Sequence, residues 1–359
     1  MDLKKLTYNN IKEKLISNIT VFTSISWLAY TYEIENPGKE LPVYQFIDEN
    51  SLPIFVGIPI RNDCLTLPSY AIQYCIDSRN DSVFNALVQS IYNSGINAVD
   101  LIDVQKETAF SLIDALNKSG FKIFTYDGIT TFRANVNEYF DDKKLVKKNE
   151  YYFRRITKEF DSKFNIYCKN NPKFQDKLNE TYTLIDHRQK SKGKISGITD
   201  KHRHLWLNIP EVFNPTVITI ESQRELLASM FISFDSKGLY YWTGGIVTKS
   251  EYNKYSFGNA IIHKAFELCK EKNLEFFDFL WGREEYKIHF KGKAHCGIGI
   301  YATKSNYLYF RNYYKKKLLY KIKSKVDVLF RRLIPQHSFG RRFIRQIIRM
   351  LGSRSNDAN

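Results

Sequence analysis

Residues 255–292 constrain the fold of this chain more than any other stretch. They open with Tyr255-Ser-Phe-Gly-Asn-Ala-Ile-Ile-His-Lys-Ala-Phe, a loop of small residues that starts a helix. They continue with Phe276-Phe-Asp-Phe-Leu-Trp-Gly-Arg-Glu-Glu-Tyr-Lys-Ile-His-Phe-Lys-Gly292, a buried strand ending on a polar, glycine-containing corner. A helix that starts on such a loop presents unpaired backbone N–H groups and the positive end of its dipole, an arrangement that holds an anionic group such as a pyrophosphate. Ligands of open α/β sheets gather at strand carboxyl ends, so the Trp281 to Lys287 corner is the place to expect chemistry.

The chain has 359 residues, more than one domain normally uses, so two compact cores and a tail are expected. A hydrophobic content of 43% with only nine prolines is globular rather than disordered. Five cysteines form no C-x-x-C pair, which argues against a disulfide framework or a structural zinc site and for a reducing compartment. His202 and His204 flank Arg203 in an expected loop, but no Cys or carboxylate at ligand spacing joins them, so no metal is expected. The N-terminus is not a signal peptide and no run is long enough to span a bilayer; a cytoplasmic protein is expected, with peripheral attachment to the inner membrane face open.

The net charge of +16 is unevenly spread. Residues 311–359 hold 14 Lys plus Arg against two Asp, a net +12, which leaves +4 for residues 1–310. A nearly neutral body gives no support to DNA binding by the whole protein.

Alternating β and α signals run through the chain. Val43 to Ile47, Pro53 to Ile58, Ala98 to Val104 and Phe121 to Tyr126 read as strands; Val83 to Ser94 and Lys106 to Ser119 read as helices, the second closed by Gly120. The polar, charged stretch Val136 to Lys148 reads as a boundary, followed by a basic helix from Asn149 to Phe160. Then come a strand at Lys163 to Cys168, a helix at Lys173 to Lys190 and strands at Thr216 to Ile220, Glu225 to Phe234 and Leu239 to Val247, the last two joined by the turn Asp235-Ser-Lys-Gly238. Helix Gly258 to Lys272 and strands Glu275 to Leu280 and Gly297 to Ala302 complete the unit.

This order, with Ser256-Phe257-Gly258, Phe277-Asp278-Phe279, Gly282, Tyr286-Lys287 and Phe290, resembles the Gcn5-related N-acetyltransferase superfamily and, within it, the CelD/BcsL-type acetyltransferases. Tyr152-Phe-Arg-Arg-Ile-Thr-Lys and His187-Arg188 resemble that family's basic helix and helix end. Phe257 stands where the family has proline, and the Q-x-x-G-x-G wording of simpler members is missing. The resemblance implies an α/β fold of two tandem acetyltransferase-like domains with mixed central sheets: a degenerate one over 1–145, an acyl-CoA-binding one over 146–308, and a basic helical tail over 309–359. It implies acyl-CoA as co-substrate and direct attack of an amine on the thioester, with no covalent nucleophile. It further implies an acceptor such as a nucleotide-linked amino sugar of surface polysaccharide or, in the Fem-like branch, a peptidoglycan precursor acylated from aminoacyl-tRNA. A non-catalytic scaffold on a vestigial fold is the alternative of another class.

Lys254, Tyr255, Ser256, Gly258 and Asn259 are the expected coenzyme-binding residues. The Fem-like resemblance places a lysine of a comparable K-x-x-F stretch close to the acyl group, which makes Lys287 the first choice for steadying the oxyanion or a phosphate oxygen, its alternative being a surface lysine paired with Glu284 or Glu285. Asp278 is either a general base in a polar cleft or a buried carboxylate tied to partners. His187 either takes the amine proton or caps its helix. Arg188, Trp281, Arg283 and Tyr286 are the expected acceptor contacts, Arg188 because guanidinium grips phosphate or carboxylate. In the tail, apolar residues recur at helical spacing among lysines and arginines through Leu318, Ile322, Val326 and Leu329, and again after Pro335. Residues 311–354 therefore lie on an anionic membrane surface, dock on the body or bind RNA. The oligomeric state is not legible.

Overall fold

The computed structural model describes residues 81–318 apart from 192, 194–197, 253 and 283, and upstream of these residues 4–6, 27, 30, 31, 34, 43–47, 53–61 and 64–66. Arg283 and the tail beyond residue 318 lie outside the described residues. Residues 1–302 form one compact unit and residues 303–359 a second.

The first unit is organised by a mixed sheet. Its strands are β1 (Lys4–Leu6), β2 (Val43–Ile47), β3 (Pro53–Arg61), β4 (Cys64–Thr66), β5 (Ala98–Val104), β6 (Lys122–Asn135), β7 (Lys163–Cys168), β8 (Thr216–Glu221), β9 (Leu226–Phe234), β10 (Gly238–Ile246), β11 (Phe276–Trp281) and β12 (Lys293–Thr303). The helices of this unit with both ends among the described residues are α1 (Asp81–Asn93), α2 (Lys106–Lys118), α3 (Val136–Asp141), α4 (Lys143–Phe160), α5 (Phe174–Ser191), α6 (Asp200–Leu207), α7 (Phe257–Glu271) and α8 (Glu285–His289); residues 306–318 of the second unit are helical too.

The strands lie in the order β1, β2, β3, β4, β5, β12, β6, β11, β10, β9, β8, β7. The two halves of the chain therefore exchange strands. β12, from the C-terminal half, enters between β5 and β6, and β6 pairs antiparallel with β11, setting Arg133 opposite Asp278. This is an α/β architecture built on one large mixed sheet, the class that the sequence predicts.

Both faces of the sheet are covered, which explains why its central strands are apolar almost throughout rather than alternating with polar residues. On one face Phe84, Leu112, Leu178 and Trp206 of α1, α2, α5 and α6 pack with Phe231, Tyr240 and Phe276. On the other, Leu145, Ile156 and Phe266 of α4 and α7 pack with Ile232, Phe277 and Phe279. Consecutive residues such as Phe276 and Phe277 thus serve opposite cores, as the period of a strand requires.

Several elements depart from the sequence reading, each for a local reason. The strand expected to end at Tyr126 runs on to Asn135, because Phe132 and Ala134 continue to bury side chains beyond Gly128. The polar stretch Val136 to Lys148, read as a break, is helical: the Asn135 side chain caps α3 at the Glu138 N–H and that of Asp142 caps α4 at the Leu145 N–H. His202 and His204 sit on a helix, not in a loop, and the His202 ring takes part in a capping box with Thr199. Strands β1 and β4 are three residues each, too short for a periodic signal.

A polar network is enclosed between α3, α4 and α7. Buried His263 sets Nδ1 at 2.8 Å from the Tyr139 hydroxyl and Nε2 at 3.2 Å from Glu267, and Asn149 donates to the same hydroxyl at 3.2 Å. Burial alone would raise the Glu267 carboxyl, but the adjacent His263 imidazole and the hydrogen bond from Lys264 outweigh it and hold the group at about 2. Its folded value lies below its unfolded one, so its stabilisation is present above pH 4.5 and is lost as pH falls toward about 2. Glu267→Gln should remove that dependence: urea midpoints of wild type and variant, apart at pH 5 and above, converge through this window.

Candidate functional site

β10 and β11 start as parallel neighbours and then separate. They pair only from Gly238 to Tyr240 against Phe276 to Asp278. Beyond that point β10 shifts register against β9 between Tyr241 and Thr243, and β11 shifts against β6 between Asp278 and Trp281. Leu280 at φ 54° and Gly282 at φ 107° turn the end of β11 further. The edge of β10 from Tyr241 to Ile246 is thereby left without a β11 partner, and edge N–H and C=O groups there face a cleft.

A cavity of about 260 Å3 occupies this cleft, walled by Tyr241, Gly244 and Gly245 of β10, the start of α7 from Tyr255 to Asn259, Arg188 of α5 and Tyr286 of α8. Ser256 precedes α7 without capping it by its side chain, and the first turn carries no acidic residue. The first intrahelical bond runs from Ala260 N–H to Ser256 O at 3.0 Å, so the amides of Phe257, Gly258 and Asn259 precede the helix ladder and remain for a ligand. A Cβ at Gly258 would meet nothing within 4 Å, so this face is open. The glycines of β10 serve another end. A Cβ at Gly245 would lie 2.6 Å from Leu184 Cβ, and one at Gly244 2.8 Å from Ser229 O, so both let neighbouring backbone close on the strand.

Of the residues named from sequence, Tyr255, Ser256, Gly258, Asn259, Arg188 and Tyr286 meet in this cavity. Lys254 is exposed, its ammonium 5.2 Å from the centre of the Tyr255 ring, and does not line it. Trp281 packs edge-on against Trp242 with centroids 6.2 Å apart and is likewise outside the lining. His187 faces a neighbouring cavity of about 430 Å3 that shares Ile246 with the first and contains Glu225 and Lys249.

Lys287 and Asp278 stand behind the cleft. Lys287, 1% exposed, donates from Nζ to the carbonyls of Trp281 at 2.6 Å, Phe279 at 3.1 Å, Gly282 at 3.2 Å and Leu280 at 3.5 Å, and lies 3.1 Å from Glu284 Oε2. Sequence pointed to an ammonium at the acyl oxygen or on the surface. In the structure three N–H groups are shared among five oxygens and hold the corner in shape. Burial pushes the ammonium below its ordinary value, with Glu284 opposing. Asp278 is buried; one oxygen accepts from Arg133 Nε and Nη2 at 3.1 and 3.0 Å, the other from the Leu280 N–H at 2.8 Å. Burial pushes this carboxyl up against the pull of Arg133.

Tyr241 was not singled out for a role in the sequence, nor were Gly244, Gly245 and Arg133. The Gly-Gly pair within an otherwise apolar strand is the one local signal, since it marks close backbone approach. Packing pushes the Tyr241 phenol up to about 12, Arg188 opposing and Glu284 adding, and it raises Tyr286 as well. Both phenols keep their protons and are hydrogen-bond donors at the cleft. Among the described residues no three His, Cys, Asp or Glu side chains group as metal ligands, and no helix is long and apolar enough to cross a membrane.

Residues 176–288, from α5 to α8, match the acetyltransferase (GNAT) domain family. Over most of the chain the fold is similar to FemX, at 11% identity and TM-score 0.62, covering 87% of this chain and 99% of that one. It is similar to a conserved protein of unknown function from Bacteroides thetaiotaomicron at 10% identity and TM-score 0.56, covering 84% and 99%. It is also similar to the C-terminal domain of a candidate lysylphosphatidylglycerol synthetase from Agrobacterium fabrum at 8% identity and TM-score 0.53, covering 83% and 92%. No curated protein sequence matches the chain.

Two substitutions separate the cleft from its support. Gly258→Ala fills open space in a helix and should leave stability equal or higher by up to about 1 kcal/mol, while lowering affinity for a phosphate-bearing donor about tenfold by crowding the amides. Lys287→Ala leaves four carbonyls without their donor and should cost about 1–3 kcal/mol in urea unfolding.

Proposed function

We propose that the protein is an N-acyltransferase that moves an acyl group from acyl-CoA to the amine of a nucleotide-linked amino sugar used in surface polysaccharide. The observation that carries the donor half of this reading is the run of unbonded amides at the start of α7, opening on the free edge of β10. A helix start suits the pyrophosphate, and an unpaired strand edge suits the amides of the pantetheine arm.

The acceptor amine attacks the thioester carbon; the C–N bond forms, the C–S bond breaks and the electron pair leaves on sulfur. Charge develops on the carbonyl oxygen between these steps. Tyr286 and Tyr241, protonated at the cleft, donate to it or to the departing sulfur, together with the free N–H groups of β10. Arg188 offers a planar fork to an acceptor phosphate. His187, in the adjoining cavity, takes the amine proton. Lys287 and Asp278 are positioning residues that fix the corner carrying Tyr286.

A second reading is favoured by the likeness of both halves to FemX: the donor is then an aminoacyl ester, as on tRNA, and the acceptor a peptidoglycan precursor. Among α1 to α8 the longest are α4 and α5 at 18 residues, both with core residues buried on the sheet.

The discriminating measurement is free thiol released from acetyl-CoA and other short acyl-CoAs with a panel of UDP- and dTDP-linked amino sugars. Release that depends on the sugar is expected, and Tyr286→Phe should lower kcat by roughly 10²-fold if the phenol serves the oxyanion. Transfer from aminoacyl-tRNA but not from acyl-CoA establishes the second reading. No transfer from either donor, with no CoA retained, leaves a scaffold.

A further inference from the structure

The helix over residues 306–318, in the second unit, carries an apolar face with no counterpart in the cleft chemistry. Tyr307, Phe310, Tyr314 and Leu318 follow one another at three or four residues, which sets them on one side of the helix. They are 70%, 52%, 61% and 60% exposed. Four large side chains exposed along one stripe form a contiguous patch rather than the scattered apolar residues that any surface shows.

Charge frames this stripe. From Lys304 to Leu318 there is no acidic residue, and Arg311, Lys315 and Lys317 are all exposed. Helical spacing puts Arg311 and Lys315 on one flank of the stripe and Lys317 on the other. The Arg311 guanidinium lies 5.5 Å from the centre of the Tyr307 ring, and Lys317 Nζ donates to the Tyr313 hydroxyl at 3.2 Å, so the cations stay beside the aromatic rings. The following sequence keeps this character, with ten Lys plus Arg against two Asp over residues 319–359.

We propose that helix 306–318 docks the protein on an anionic lipid bilayer, lying in the plane of the interface. Tyrosine has an apolar body and a polar tip and partitions to the headgroup level, where Phe310 and Leu318 reach the acyl boundary. The flanking cations meet anionic headgroups near the surface. Ring geometry favours a bilayer over single-stranded RNA, the other polyanion that aromatic and basic residues serve. Bases stack on ring faces, but Phe310 and Tyr314 turn their faces to each other, at 6.3 Å and 22°, as do Tyr309 and Tyr313 at 6.0 Å and 6°.

The test uses the full chain, sedimented with vesicles of phosphatidylcholine alone and with an equal mixture of phosphatidylcholine and phosphatidylglycerol. Retention by the mixed vesicles, weakened by salt, is expected. The triple substitution Tyr307→Ser, Phe310→Ser, Tyr314→Ser should lower that retention by about tenfold or more with the thermal unfolding of the body unchanged. Lys315→Glu with Lys317→Glu should lower it too. Equal retention of the triple variant, or no retention of wild type by mixed vesicles, overturns the proposal. So does a lowered unfolding temperature of the triple variant, which would make the stripe a packed surface. Binding of a single-stranded RNA without vesicle binding would assign the helix to nucleic acid instead.

Discussion

Three residues of parallel pairing, Gly238 to Tyr240 against Phe276 to Asp278, hold β10 to β11 before the strands part. The cavity, the free edge of β10 and the approach to the α7 amides all follow from where that pairing stops. What accompanies its end is local: register shifts in both strands and two left-handed residues, Leu280 and Gly282, at the end of β11. A non-glycine residue at positive φ is costly and persists only where its surroundings impose it. Here the Asp278 carboxylate accepts the Leu280 N–H, and Lys287 binds the carbonyls on either side of the turn. The two charged side chains that drew notice in the sequence thus act on the shape of the cleft.

That arrangement has an energetic logic. An ionised group sealed from water needs several fixed dipoles or a partner charge to offset its desolvation. Asp278 has Arg133, which also lies 4.0 Å over the Phe276 ring, and Lys287 has four carbonyls and Glu284. Because each polar atom is spoken for, the corner resists rearrangement, and Tyr286 is carried one residue from Lys287 on a helix of only five residues. Rigidity of this kind is what a site needs when catalysis rests on placing two reactants rather than on a covalent intermediate.

The order of elements in the second half was readable because each has its own periodicity or punctuation: the Asp235 to Gly238 turn, the small residues before α7, the apolar run of β11. The start of α7 and its open Gly258 were legible for the same reason. Partners far apart in sequence were not. Arg133 is 145 positions from Asp278, and nothing local to Arg133 marks it as a strand residue facing a carboxylate. The burial of Lys287 is not legible because the acceptors around it are backbone carbonyls, which every sequence contains. The segment from Val136 to Lys148 misled because charged residues on a solvated helix face look like a linker when the caps at Asn135 and Asp142 are overlooked.

The place of β12 carries a consequence for how the molecule is made. Its residues come after all other described strands, yet they lie between β5 and β6, whose chain is finished some 160 residues earlier. During synthesis that slot stays open, with two unsatisfied strand edges exposed until Lys293 to Thr303 arrive. The sheet is therefore completed only by its last described strand, and neither half of the chain holds all of it.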